Sequence, residues 1–235
     1  MARKIRWMGV ILLVIAFSFN GALAMGKLES TQENLVVVPY YDTYFYGYVF
    51  AEVTNSGDKP VEFSNGLMEL FDADGNSLSS TDLYYCYPPV LQPGETGYVY
   101  GYSYVDTASG GQISDFMLSV TGQGTISQTV TRVEAAARFE AVEDDYYGAS
   151  DYLVAEVKNT LDTPLTDFEI VFALRDDAGN LIDVISSYFS GYNVGIMPGS
   201  SVEFRYQIGS DIATYMQDNG IEPGTVDVVA YNLSY

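Results

Sequence analysis

Tyrosines at every second position form the most suggestive chemical pattern in the sequence. The stretch GYVYGYSYVD, residues 97–106, places them at Tyr98, Tyr100, Tyr102 and Tyr104. Because side chains alternate between the two faces of a β-strand, the four rings would lie on one face. Tyrosine is large, rigid and amphipathic, and binding surfaces use it for that reason. We therefore predict a ligand-binding face that suits sugar rings or a protein partner. The same spacing adds Tyr44, Tyr46 and Tyr48 to it.

Acidic side chains could perform a second kind of chemistry, because the chain has 31 Asp and Glu residues, no His and a single Cys. The lack of histidine excludes Ser-His-Asp triads, Cys-His nucleophiles and His-ligated metals. A carboxylate pair could still hydrolyse a glycan, but among so many acidic residues such a pair has no specificity, and no G-x-S-x-G motif is present. We therefore predict that the protein is not an enzyme and needs no cofactor. For the single Cys86, a buried thiol is favoured over pairing between molecules.

The segment DADGN, Asp72 to Asn76, is the one candidate for a metal site, through Asp72 and Asp74. An EF-hand loop needs glycine at its sixth position and glutamate at its twelfth, whereas counting from Asp72 places Gly75 fourth and Leu83 twelfth. Asp and Asn can hydrogen-bond their own backbone, and Gly supplies a positive φ. We therefore favour a hairpin turn here and predict no metal.

Residues 1–24 have the features of a secretory signal peptide. Arg3, Lys4 and Arg6 precede an apolar run over residues 8–19, and Ala22-Leu23-Ala24 offers a small-x-small cleavage site. We expect an exported protein that is secreted, periplasmic or loosely envelope-associated, with no transmembrane segment after signal removal. Removing this segment leaves seven basic and 31 acidic residues, a net charge of −24. That charge argues against nucleic acid and anionic membranes as partners.

An internal repeat sets the predicted domain organisation. Residues 48–80 align without a gap on residues 152–184, with 11 identities in 33 positions, and a period near 104 residues is that of a whole domain. A stretch rich in Gly, Ser and Thr, residues 121–129, separates the two copies. We predict a first domain over residues 25–125, which is rich in tyrosine, and a second over residues 126–235.

Within each copy the residue pattern is typical of strands. Val49, Ala51 and Val53 alternate with polar or aromatic residues, and segments of five to nine residues are separated by turns, which predicts an antiparallel β-sandwich. Residues 132–145 favour helix by their alanines and strand by their alternation, and we interpret them as the first strand of the second domain. One short helix is predicted over residues 211–220, with Asp211 as its N-cap and a stop at Asn219-Gly220.

The orientation of the tyrosine row depends on how the two copies are aligned. If the Pro-Gly turns are superimposed, Gly97, Val99 and Gly101 match the apolar side of SVEFRYQI, residues 201–208, and the tyrosines point outward. If the shift of 104 is kept, the tyrosines match the apolar side and point inward. A slip of one residue exchanges the two faces of a strand. The outward alternative leaves an inner row of small residues that buries little area, so the sequence leaves both alternatives open.

Several motifs of the repeat resemble the FxLYD family of bacterial exported proteins. Its naming motif is matched by FALRD at residues 172–176 and more loosely by MELFD at residues 68–72, with Arg in place of Tyr in one copy and Met in place of Phe in the other. A strand ending in Val-x-Asn, an Asp-x-x-Gly-Asn turn and a Leu-x-Pro-Gly turn in the first copy accompany it. The resemblance implies immunoglobulin-like β-sandwich domains in tandem and implies no catalytic residues.

These observations together predict an all-β protein with two tandem antiparallel immunoglobulin-like β-sandwich domains. Its expected function is non-catalytic binding or adhesion at the cell envelope or outside the cell, with a glycan or protein partner. The alternative is a structural spacer or assembly module whose tyrosines only pack, and a carboxylate-dependent glycan hydrolase ranks third. The pattern contains no signal for the oligomeric state.

Overall fold

The computed structural model describes residues 27–109, 111–124, 126–144, 148–190 and 195–234, so the predicted signal peptide lies outside the described residues. The chain is all-β with one short helix, as predicted. The strands are β1 Leu28–Tyr41, β2 Tyr44–Asn55, β3 Val61–Phe71, β4 Ser77–Leu83, β5 Val90–Leu91, β6 Thr96–Asp106, β7 Asp115–Gln123, β8 Thr129–Asp144, β9 Gly148–Lys158, β10 Asp167–Asp176, β11 Leu181–Ser190, β12 Ser201–Gln207 and β13 Pro223–Ser234. The helix α1 is Ser210–Asn219, and a 3-10 turn covers Thr107–Ser109. Among the described residues, no helix is long and apolar enough to cross a membrane.

The N-terminal half folds into two antiparallel sheets that enclose a core. We call the first sheet A, in the order β1-β2-β6, and the second sheet B, in which β3 pairs with β4, β5 and β7. Alternate residues of β2 and β6, such as Val49, Val53 and Val99, meet Met68 and Leu70 of β3 in one buried cluster. The alternation in the sequence therefore does place an apolar face of each sheet toward a common core.

The C-terminal half forms one six-stranded sheet in the order β11-β10-β13-β8-β9-β12. The strand β8 changes partner along its length, since it pairs with β13 up to Val133 and with β9 from Glu134. We call the part with β11, β10 and β13 sheet C, and the part with β9 and β12 sheet D. The two parts face each other, because the ring of Phe168 on β10 lies 5.6 Å from that of Phe204 on β12. Of the ambiguous residues 132–145, those up to Asp144 belong to the strand β8, as we predicted, and Asp145 lies outside the described residues.

The strand pairing of sheets A and B reappears in sheets D and C. The strand β2 lies between β1 and β6, as β9 lies between β8 and β12; β3 lies between β4 and β7, as β10 lies between β11 and β13. The predicted domain boundary falls between the end of β7 and the start of β8. The two aligned copies of the repeat therefore occupy equivalent strands of the two halves.

A fully buried asparagine closes the end of β2 and another closes the end of β9. The side-chain amide of Asn55 donates to the carbonyl oxygens of Lys59 (2.8 Å) and Leu91 (2.9 Å). The amide of Asn159 donates in the same way to Thr163 (2.8 Å) and Ile196 (2.7 Å). A buried polar group is tolerated when its hydrogen bonds are satisfied. The repeated Val-x-Asn motif is thus explained by a structural role.

The outer face of sheet A packs against the outer face of sheet C, which stacks the sheets in the order B, A, C, D. Consecutive residues Val49, Phe50 and Ala51 on β2 are all buried, as are residues 170–174 on β10. Because neighbouring residues of a strand face opposite sides, such runs need cover on both faces. Phe50 and Tyr98 accordingly belong to the buried cluster of the C-terminal half, although they lie on sheet A.

Polar contacts fix the two halves to each other at one end of this interface. Arg175 on β10 forms an ion pair with Glu52 on β2 and a second with Asp227 on β13, the latter at 2.7 Å. On β1, the side-chain amide of Asn34 donates to the carbonyl oxygen of Leu181 (2.7 Å). The second copy of the repeat has Arg175 where the FxLYD motif has Tyr, and this arginine supplies a contact between the halves.

The short helix ends where it was predicted to end and begins one residue earlier. Gly220 adopts a left-handed conformation with φ 61° and closes the C-terminus. The N-cap prediction was wrong, because Gly209 holds that position without a side-chain hydrogen bond and Asp211 lies in the first turn. The Asp211 carboxylate instead accepts a hydrogen bond from the Tyr48 hydroxyl at 3.2 Å.

Candidate functional site

Glycines on the inner face of β6 determine which way its tyrosines point. Gly97 and Gly101 are buried against sheet B, and a Cβ at Gly101 would overlap the side chain of Leu83. A Cβ at Gly97 would approach Cys86 to 3.2 Å. Small residues are needed here because sheet B lies so close, and its large side chains fill the space. The tyrosines therefore point away from the core of the N-terminal half, which is the outward alternative.

Pointing outward does not expose all four tyrosines, because sheet C covers part of the row. Tyr98 is only 5% exposed, whereas Tyr102 is 55% and Tyr104 is 63% exposed. Tyr100 is half-buried and stacks on Tyr87 with ring centroids 5.8 Å apart. The row thus divides into a covered part, Tyr98 and Tyr100, and an exposed part, Tyr102 and Tyr104.

The predicted tyrosines of β2 lie beside the exposed part, where Tyr44 is exposed and Tyr46 and Tyr48 are half-buried. Strand pairing places Tyr46 opposite Tyr104 and Tyr48 opposite Tyr102, and Tyr44 lies at the adjoining end of β2. The structure adds two tyrosines that sequence reasoning had not assigned to the site, because the tight β1-β2 hairpin carries them to the same end of sheet A. The tyrosine patch consists of Tyr40, Tyr41, Tyr44, Tyr46, Tyr48, Tyr102 and Tyr104.

The rings of the tyrosine patch are tilted against each other and leave an open recess between them. Tyr40 and Tyr46 have centroids 4.7 Å apart at 53°, and Tyr46 meets Tyr104 at 6.5 Å and 84°. Tyr44 and Tyr104 lie 6.3 Å apart at 52°. Edge-to-face contacts of this kind are favourable for aromatic pairs. The recess has a volume of about 580 Å³ and is lined by Tyr40, Tyr41, Tyr44, Tyr46 and Tyr104.

Nearby carboxylates and burial raise the pKa of two tyrosines of the patch above its ordinary value. Asp106 raises the pKa of Tyr44, and burial together with Asp211 raises the pKa of Tyr48. Asp106 itself accepts hydrogen bonds from the Thr43 hydroxyl (2.6 Å) and the Ala108 amide (2.9 Å), which lower its pKa. The patch therefore combines neutral O–H donors with anionic carboxylates at neutral pH.

A larger recess of about 890 Å³ lies between α1 and the strands β8 and β9. Apolar side chains such as Phe139, Met216 and Ile221 line it, together with the carboxyl groups of Asp151 and Glu222. Size alone does not distinguish a binding site, and this recess lacks the convergent ring geometry of the tyrosine patch. We therefore treat the tyrosine patch as the candidate site.

The segment Asp72 to Asn76 forms the tight turn that its sequence indicated. The Asp72 carboxylate accepts hydrogen bonds from the Asp74 amide (2.9 Å) and the Asn76 amide (2.9 Å), and Gly75 has φ 80°. The turn after β10 repeats this geometry with Asp176 and Gly179. In the part of the chain that the structure describes, no three His, Cys, Asp or Glu side chains cluster as metal ligands would.

The single cysteine lies in the core of the N-terminal half. Cys86 is 2% exposed, and burial raises the pKa of its thiol to about 12. A thiol in such surroundings stays protonated and unreactive. The structure therefore contains the buried thiol that the sequence favoured.

Comparison of the sequence with models of known protein families gives no match, and comparison with curated protein sequences gives none either. The resemblance to FxLYD domains therefore stays a prediction that depends on the motifs named above.

Proposed function

We propose that this is an exported, non-catalytic binding protein that recognises its partner through the tyrosine patch. The observation that carries the proposal is the exposure of several neighbouring rings around a recess, on a sheet whose Phe50 and Tyr98 rings are buried against sheet C. Exposed aromatic side chains that form a contiguous group mark interaction sites in proteins. The sheet beneath them is held in place by the central residues of β2, since Val49, Phe50 and Ala51 are buried on both faces of the sheet.

A protein partner fits the patch better than a glycan. Sugar rings stack on flat aromatic faces, whereas the rings at the recess meet at angles of 52° to 84°. Tilted rings enclose a pocket that can receive a side chain, and Tyr is enriched at protein interfaces. Most of the patch rings come from β1 and β2, which are joined by a tight hairpin, so the pocket exists before the partner arrives.

The domain interpretation that accompanies this proposal is of two tandem immunoglobulin-like sandwiches, residues 25–125 and 126–235, of the FxLYD type. It is supported by the equal strand pairing in the two halves and by the paired Asn55 and Asn159. In this interpretation the first domain carries the recognition surface and the second covers half of the same sheet.

A structural spacer or assembly module is the second candidate. The burial of Tyr98 and the ion pair between Arg175 and Glu52 favour it, because these residues hold the two halves together and leave no surface for a ligand. The two candidates concern different parts of the tyrosine row, so variants of the exposed part separate them.

The deciding experiment compares binding by the protein and by the double variant Tyr102→Ser/Tyr104→Ser against a peptide array and a polysaccharide panel. We expect peptide binding that the double variant loses and that Tyr188→Ser keeps, since Tyr188 is equally exposed (64%) but lies on β11. The melting temperature of all variants should stay close to that of the parent protein. The proposal is wrong if no probe distinguishes the double variant from Tyr188→Ser.

A further inference from the structure

Three carboxylates surround the tyrosine patch, and each comes from a different element. Asp42 is in the turn of the β1-β2 hairpin, Asp106 ends β6, and Asp211 is in the first turn of α1. Asp106 raises the pKa of Tyr44, and Asp211 accepts a hydrogen bond from the Tyr48 hydroxyl. The rim of the patch is therefore negative on more than one side.

The elements that form this rim contribute no positive charge to balance it. Residues 40–48, 100–106 and 210–219 contain no Lys or Arg. The ion pairs of the basic side chains join them to carboxylates on other surfaces, as between Arg132 and Glu95 or Lys158 and Glu134. A ligand with positive charge would thus meet the carboxylates of the rim, such as Asp42 and Asp211, and the electron-rich faces of the rings.

We infer that the tyrosine patch binds a basic polypeptide segment of a partner protein and receives a Lys or Arg side chain in the recess. This inference rests on the proposed function and adds the chemical class of the ligand. The cation lies among the tilted rings of Tyr40, Tyr46 and Tyr104, within the distance of about 6 Å at which cation–π attraction acts. Further basic residues of the segment face Asp42 and Asp211.

A polypeptide matches the patch because its basic side chains can be spaced along the chain to reach carboxylates on different elements. The Tyr48 hydroxyl already donates to Asp211 and the Tyr44 hydroxyl to Asp106, so the attraction comes from the rings and the carboxylates and not from these hydroxyls. An amino-sugar polymer offers the cations, but its sugar rings find no parallel aromatic faces in the recess.

The test measures fluorescence anisotropy of a labelled ten-residue peptide of alternating Gly and Arg at 0.15 M salt, where charges beyond about 8 Å are screened. We expect Tyr40→Ser/Tyr104→Ser to weaken binding at least about tenfold, which corresponds to about 1.4 kcal/mol. This double variant leaves the net charge unchanged, so the loss cannot come from the overall acidity of the protein. Tyr188→Ser is the matched control and should bind like the parent.

A second pair of variants tests the rim with equal changes of charge. Asp42→Asn/Asp211→Asn should weaken peptide binding severalfold, whereas Asp58→Asn/Asp162→Asn should not, since these exposed aspartates lie in turns away from the patch. Equal effects of the two pairs would overturn the inference, because they would indicate attraction by net charge alone.

Two further probes separate the inference from the proposed function. The inference that the ligand is a basic polypeptide is wrong if an alternating Gly and Glu peptide shows tyrosine-dependent binding. It is also wrong if chitosan oligomers bind in preference to the Arg peptide. The first of these outcomes leaves a protein-binding patch in place. If none of the probes depends on Tyr40 and Tyr104, and the array described above also shows no dependence on tyrosine, both proposals fail together.

Discussion

The strands β6 and β12 occupy the same position in the two halves of the molecule, and their outer faces differ in chemistry. The outer face of β6 carries tyrosines, whereas that of β12 carries Glu203, which forms an ion pair with Arg138, and Arg205, which forms one with Glu140. The aromatic face is partly covered by sheet C, as Tyr98 shows, and the side chains of Glu203 and Arg205 are exposed. The same strand arrangement can therefore be buried on one face or on both faces. The chemistry of its outer residues determines whether the second face is covered.

The largest effect should come from removing a ring in the covered part of the β6 row. We expect Tyr98→Ala to lower the free energy of unfolding by about 3 to 5 kcal/mol, because a large buried side chain is lost and a cavity remains between sheets A and C. Tyr104→Ala, at the exposed end of the same row, should change it little. Urea unfolding followed by circular dichroism measures both, and similar losses would contradict the division of the row.

A buried carboxyl makes the second difference between the halves. Asp183 on β11 lies opposite Leu174, and the same place in the first half holds Ser79 opposite Leu70. Burial raises the pKa of Asp183 to about 7. An unfolded aspartate loses its proton near pH 4, so the folded chain binds more protons between about pH 4 and 7. The free energy of unfolding should therefore fall as the pH rises through this window.

The variant Asp183→Asn removes this titration. It should be more stable than the parent by about 3 kcal/mol at pH 8 and little different at pH 4. Ser79→Asn, the same replacement residue in the first half, provides the control and should show no such dependence on pH. Parallel stability curves for the parent and Asp183→Asn would contradict the assignment.

The ion pair between the two halves is more buried than the one on the outer face of β12, which gives the third prediction. Arg175 is 12% exposed, and its removal leaves the Glu52 carboxylate without its cation between the halves. We expect Arg175→Ala to cost about 2 kcal/mol, less than the loss of a fully buried pair. Arg205→Ala breaks an ion pair that is open to water on β12 and should change the unfolding midpoint only slightly. If both variants unfold alike, the contact at Arg175 does not join the halves.

The smallest effect concerns the close approach of sheets A and B. At Gly101 a Cβ would overlap Leu83, whereas a Cβ at Gly124 would meet nothing within 4 Å. We expect Gly101→Ala to cost about 1 to 2 kcal/mol through overpacking and Gly124→Ala to cost less. Thermal unfolding by calorimetry compares them, and a stable Gly101→Ala variant would show that sheet B can retreat.

The elements that the sequence predicted correctly are those fixed by local backbone conformation or by alternation of residues. The turns at Gly75 and Gly179 and the helix end at Gly220 were predicted correctly, because each depends on a local backbone conformation that glycine favours. The strand that covers residues 132–144 was predicted from its alternation. The N-cap of α1 was predicted wrongly, since Asp211 is used by Tyr48, a residue 163 positions away.

The candidate site was predictable only in part. The spacing of Tyr44, Tyr46 and Tyr48 and of the β6 tyrosines identified two rows that face the same side, and strand pairing brought them together. The sequence contained no signal that Tyr98 would be covered while Tyr104 stays open, because that depends on where sheet C ends. Tyr40 and Tyr41 were missed since the alternation of β1 does not distinguish them.

By itself the sequence determined the strands, their turns and the repeat, because these follow from alternation, glycine and the hydrogen bonds of Asp and Asn over a few residues. The tertiary structure alone decided the orientation of the β6 tyrosines and their division into a covered and an exposed part. The orientation depends on the space between sheets A and B, which the large side chains of sheet B fill. The division depends on the docking of sheet C through Arg175 and Phe50, residues far in sequence from the tyrosines of β6.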